Sequence, residues 1–173
     1  MEATMNEIPG VFLNTVQKSV SWLHEIEKET GWNEQRAYRA LRATLHTLRD
    51  RLTIDQAAHL GAQLPMLVRG FFYEGWHPAG VPRKDISTKD DFLRAVRDEA
   101  DDPGMDPEQS ARVVFSVMAT HVTDGGLRKV REQLPKSIAA LLPDNGAPEA
   151  ATKRPAEPDF IVGKDGVRQT HPH

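Results

Sequence analysis

The chain has 173 residues, 39% of them hydrophobic and 27% charged, with a formal net charge of −3. That composition supports a packed core, and the balanced charge gives no global attraction to nucleic acid or anionic membrane. With no cysteine, disulfides, thiolate metal sites and cysteine nucleophiles are excluded. The stretch Met1 to Pro9 lacks the basic and apolar regions of a signal peptide, and no apolar run approaches the roughly 20 residues of a spanning helix. The expected compartment is therefore the cytoplasm, without membrane contact.

In chain order, Phe12, Val16, Ser19, Leu23 and Ile26 recur at spacings of three and four, which predicts a first helix with one apolar face. Gly31 ends it. A second helix is predicted from about Glu34 to Arg51, with Ala37, Leu41, Thr44, Leu45, Leu48 and Leu52 inward. Thr53 or Asp55 caps a third, Gln56 to Gln63. Pro65 opens a short fourth helix from Met66 to about Phe72.

Tyr73 to Lys89, with Gly75, Pro78, Gly80 and Pro82, reads as an ordered loop. Asp90 is expected to cap the next helix, with Phe92, Leu93 and Val96 inward, and Asp102-Pro103-Gly104 to break it. Asp106-Pro107-Glu108 then reads as an N-cap, a proline at the first helical position and an acid in the first turn. The helix that follows runs to about Val122, and Pro135 repeats the part of Pro65. Residues 144–173 are poor in apolar periodicity and are expected to form a disordered tail. Within it, Phe160, Ile161 and Val162 form a short apolar run able to dock on the core or on a partner. Alternating β pattern is almost absent.

Gln63-Leu64-Pro65 returns as Gln133-Leu134-Pro135, an offset of 133 − 63 = 70. At that offset Trp22 meets Phe92, Ile26 meets Val96, Leu45 meets Phe115, Leu48 meets Met118, Thr53 meets Thr123 and Val68 meets Ile138. The expected fold is therefore all-α: two tandem pseudo-symmetric multi-helix units in one helical bundle. Residues 1–76 and 90–143 form the units, 77–89 the linker and 144–173 the tail.

The stretch from Leu48 to Leu52, continued by Ala57-Ala58-His59-Leu60-Gly61-Ala62-Gln63-Leu64-Pro65 and on through Phe71-Phe72-Tyr73-Glu74-Gly75-Trp76, resembles a bacterial family of unknown function, number 2267. The likeness covers about residues 12–143. It implies a helical protein of one or two such repeats and nothing about activity. In that family the second repeat typically carries Gly-Glu before its third helix. Here the pair is Gly125-Gly126.

Three features are candidates for contact. Phe71 to Pro78 gathers Phe72, Tyr73, Trp76 and His77 near a helix end, to be read as a recognition loop or as aromatics clamping the linker onto the bundle. Arg36, Arg39, Arg42, His46 and Arg49 lie along one side of the second helix, either a phosphate- or RNA-binding stripe or a face paired with local acids such as Glu34 and Asp50. Val113 and Val117 lie off the main apolar stripe of the long second-unit helix, which places that helix centrally or under another chain. No His-Glu-x-x-His, Gly-rich phosphate loop or Gly-x-Ser-x-Gly is present, so no metal, cofactor or catalytic residue is assigned.

The expected function is a non-enzymatic interaction or scaffold protein that self-associates or binds a larger protein assembly. Two alternatives stand beside it. One is an RNA- or anion-binding module using the arginine stripe. The other is a small-molecule or metal-binding enzyme with a pocket between the repeats near Trp76, His77 and His121.

Overall fold

The computed structural model describes residues 8–144, and these are all-helical without a strand. The eight α-helices are α1 Gly10–Thr30, α2 Glu34–Arg51, α3 Ile54–Ala62, α4 Met66–Tyr73, α5 Lys89–Ala100, α6 Pro107–His121, α7 Asp124–Gln133 and α8 Lys136–Ala139. Residues 145–173 lie outside the described residues, and with them the expected tail and its Phe160, Ile161 and Val162.

Helix ends follow local chemistry. Gly31 closes α1 in the left-handed conformation, φ 74°, open to glycine at little steric cost. Thr53 accepts from the Gln56 N–H while the Gln56 side chain accepts from Thr53, a reciprocal cap on α3. Asp106 caps α6 with Pro107 in its first turn, as the sequence implies. Pro65 is the N-cap of α4, which begins at Met66 as expected. One start differs. Thr88, not Asp90, caps α5, with Asp91 returning the hydrogen bond. Thr88 Oγ1 accepts from the Asp91 N–H, and Asp91 Oδ2 accepts from the N–H groups of Ser87 and Thr88.

Long helices α2 and α6 pack against each other and form the centre. Leu41, Leu45, Leu48, Val114, Phe115 and Met118 are buried there. Helix α1 packs against α6 as well as α2, and α5 packs against α2 as well as α6. The two halves are thus interleaved: each first helix lies on its own long helix and on that of the other half. Helix ends recur at one interval, with Thr30 and Ala100, Arg51 and His121, Ile54 and Asp124, and Met66 and Lys136 each 70 residues apart (100 − 30, 121 − 51, 124 − 54, 136 − 66).

The loop after α4 is held to α2. Asp50 O accepts from the Arg83 N–H at 2.7 Å, the Arg51 Nε donates to Ile86 O at 2.8 Å, and Ile86 is buried. Along α1 the apolar face is buried from Ser19 through Trp22 to Ile26. Phe12, expected inward, is 55% exposed. With 21 residues, α1 is about 31 Å long, and its buried positions, Ser19, Trp22 and Ile26, all lie from its middle onward. Among the described residues no helix is long and apolar enough to cross a membrane.

Candidate functional site

The arginine side of α2 is paired within the chain, buried at His46 and Arg49 and open to solvent at Arg39. Arg36 grips Asp102 with Nε at 2.9 Å and Nη2 at 3.2 Å, and this guanidinium holds the Asp102 carboxyl below its ordinary pKa. Arg39 donates to Asp101 O. Arg42 bridges Glu74 and Glu99. His46 is almost wholly buried, with Nδ1 2.7 Å from Glu99 and Nε2 facing Phe71 O. Arg49, 4% exposed, donates to Phe72 O at 2.7 Å and Glu74 O at 2.9 Å.

These partners are the C-terminal ends of α4 and α5, where unpaired carbonyls and the negative end of the helix dipole favour cations. Helix α4 has no basic residue in its own last turn, so α2 supplies the charge. The expected pairing with Glu34 is replaced by acids 32 to 66 residues away. Sequence proximity hid them, because helix packing brings them together.

The aromatic loop takes the clamping role in part. Phe72 is fully buried, Tyr73 and Trp76 are partly buried against the core, and His77 is exposed. The Tyr73 ring lies 5.0 Å from that of Phe72 and 5.5 Å from that of Trp76. Tyr73 also crosses Gly61, where an added Cβ would stand 2.1 Å from its hydroxyl oxygen. A side chain at position 61 would therefore push the Tyr73 ring from its place.

Val113 and Val117 are buried within this chain. The second apolar side of α6 faces the molecule's own helices, so Val113 and Val117 take the central of their two expected places, Phe72 takes the clamping one, and none of the three offers a contact surface. His121 stacks on Trp22 at 5.0 Å and faces Glu25 Oε1 at 2.7 Å, tying α6 to α1. The small cleft beside it is lined by Lys18, Trp22, Gln63 and Pro65 among others, and by neither Trp76 nor His77. The pocket expected to unite Trp76, His77 and His121 is not assembled. Among the described residues no group of three or more His, Asp or Glu is placed to hold a metal.

Two further surfaces stand out among the described residues. The first is an apolar edge where α1 meets the start of α4. Val11, Phe12, Met66 and Leu67 are 77%, 55%, 64% and 48% exposed. The Leu67 N–H donates to Thr15 Oγ1 at 3.2 Å, which sets Leu67 one helical turn from Val11 and Phe12. At the same places in the second half, Met66 and Leu67 are matched by Lys136 and Ser137, both exposed. Sequence reasoning missed this edge because it placed Phe12 in the core. The mismatch at the 70-residue offset was the available signal.

The second is a groove of about 710 Å³ between α3 and α7. Its lining pairs positions 70 apart: Thr53 with Thr123, Gln56 with Gly126, His59 with Lys129, Leu60 with Val130 and Gln63 with Gln133. At Gly126 an added Cβ would stand 2.4 Å from the Gln63 amide. Gln63 Oε1 accepts from the Thr123 N–H at 3.0 Å and from its hydroxyl at 2.8 Å. A residue from the first half thus does the capping that a glutamate at position 126 would perform, and glycine leaves it room.

No curated protein matches this sequence. A family model described as an uncharacterized conserved protein (DUF2267) matches residues 20–141, which take in α2 to α8 and most of α1. The chain belongs to that family.

Proposed function

We propose that this chain is a non-enzymatic helical interaction protein that self-associates through the α1–α4 edge. The observation that carries this reading is the set of four large, exposed apolar side chains on one edge, with lysine and serine at the matched places of α8. Contiguous exposed apolar surface rimmed by polar residues marks contact sites. The occupant is a second copy. One patch meeting itself across a twofold axis closes a dimer, and the neighbouring exposed Asn14 and Gln17 are uncharged, with the exposed Lys18 at the rim beside Pro65. The shared helix ends support a duplicated unit, of which only the first copy keeps this edge apolar.

Burying what remains exposed of four such side chains on each of two copies supplies roughly 10 kcal/mol, much of it offset by the entropy of association. The dimer is therefore expected in the range of roughly ten to several hundred micromolar. Sedimentation equilibrium tests it. The expected result is a mass rising toward the dimer over that range, abolished by Met66→Lys with Leu67→Ser at unchanged thermal stability. A monomer at every concentration up to a millimolar, or a dimer untouched by the double substitution, overturns the reading.

A further inference from the structure

The α3–α7 groove has a buried apolar floor in Leu60 and Val130. Its lining carries His59, Arg128 and Lys129 against one carboxylate, Asp55. Among the described residues Arg128 has a loose partner in Glu132, at 4.0 Å with both side chains more than 60% exposed. The groove therefore suits a segment that joins apolar side chains to acids.

The chain supplies such a segment and leads toward the groove. The Arg131 Nη2 on α7 donates to the Pro143 carbonyl, so the last described residue, Asp144, leaves the body on the flank of the groove's own wall. Thirteen residues later (157 − 144) comes Glu157-Pro158-Asp159-Phe160-Ile161-Val162, two acids and the longest run of large apolar residues after Asp144. We infer that the α3–α7 groove binds this chain's own segment Glu157–Val162, with Phe160 to Val162 over Leu60 and Val130 and the two acids toward the cationic rim.

Reach does not limit the contact. Sixteen residues from Asp144 to Phe160 (160 − 144) span up to about 50 Å, while the ten residues of α7 measure about 15 Å. A tether of this length holds the segment at an effective concentration on the order of millimolar, so a weak intrinsic affinity populates the docked state. Charge complementarity with the rim selects the acidic segment over the basic Lys153-Arg154 that precedes it. The α1–α4 edge plays no part.

The test is amide hydrogen exchange on the full-length chain, compared with Ile161→Asp and with Lys129→Glu. The expected result is a several-fold loss of protection in α3 and α7 for both variants, unchanged α1 and α4, the same at tenfold dilution, and recovery when Lys129→Glu is combined with Asp159→Lys. Protection in α3 and α7 that stays within twofold in Ile161→Asp overturns the inference. So does a change that falls on α1 and α4, or one that vanishes on dilution, which would put another copy's segment in the groove. Because the sedimentation test reads α1 and α4, either proposal can fail alone.

Discussion

Replacing Arg49 by methionine tests whether the arginine side of α2 serves the fold. Methionine keeps most of the buried stem and removes the guanidinium. Three hydrogen bonds disappear: those to Phe72 O and Glu74 O, and the one from Nε to Asp50 Oδ1 at 2.8 Å. Hydrogen bonds involving a charged group are worth about 1.5–3 kcal/mol each, and the carbonyls after α4 lose their partner in a site 4% exposed. The loss is partly offset because the arginine no longer has to be desolvated. The expected net cost is about 3–5 kcal/mol, or a fall in Tm of roughly 10–20 °C for a body of this size. Arg39→Met removes one exposed hydrogen bond to Asp101 O and is expected to cost at most about 1 kcal/mol. Urea and thermal unfolding, followed by circular dichroism, measure both. An Arg49→Met variant within about 1 kcal/mol of the parent refutes the reasoning. So does an Arg39→Met variant as damaging as Arg49→Met.

Gln63→Ala removes the cap that crosses between the halves and is expected to cost about 1 kcal/mol. In a Gly126→Glu background, where glutamate restores a local cap, the same change is expected to cost nearly nothing, and a double-mutant cycle by urea unfolding reads the difference. Acid unfolding checks the carboxylates. Asp102 is held below its ordinary pKa by Arg36, Asp85 by Arg83, Asp91 by Thr88, and Glu108 by Lys89 and then Arg112. Groups with lowered folded pKa values stabilise the fold above their unfolded values, about pH 4, and lose that contribution as pH falls through the lower folded values. Asp102→Asn is therefore expected to lower stability at pH 7 and to match the parent near pH 2.

Much of the fold was legible because the deciding signals are local. Gly31, Thr53, Pro65 and Asp106-Pro107 mark helix ends within one or two residues, and apolar spacing fixes the inward faces of α2 and α6. The starts of α3 and α7, Ile54 and Asp124, keep the 70-residue offset that the paired Thr53 and Thr123 show in the sequence. What the sequence hid was tertiary. Phe12 continues the apolar stripe of α1 in register, yet the buried part of that stripe begins only at Ser19. The cations of α2 resemble a free stripe until α4 and α5 bring their C-terminal ends to it. Gly125-Gly126 reads as a weakened helix start, although Gln63 from the other half repairs it.

The claim most worth testing is that contact between copies falls on the α1–α4 edge and not on the loop that follows α4. Hydrogen exchange of the full chain at about 5 µM and at about 500 µM addresses it directly. Protection is expected to rise with concentration over residues 10–20 and 66–70 and to remain constant over 71–77. Concentration-dependent protection centred on Tyr73, Trp76 and His77, or none anywhere, would contradict the account.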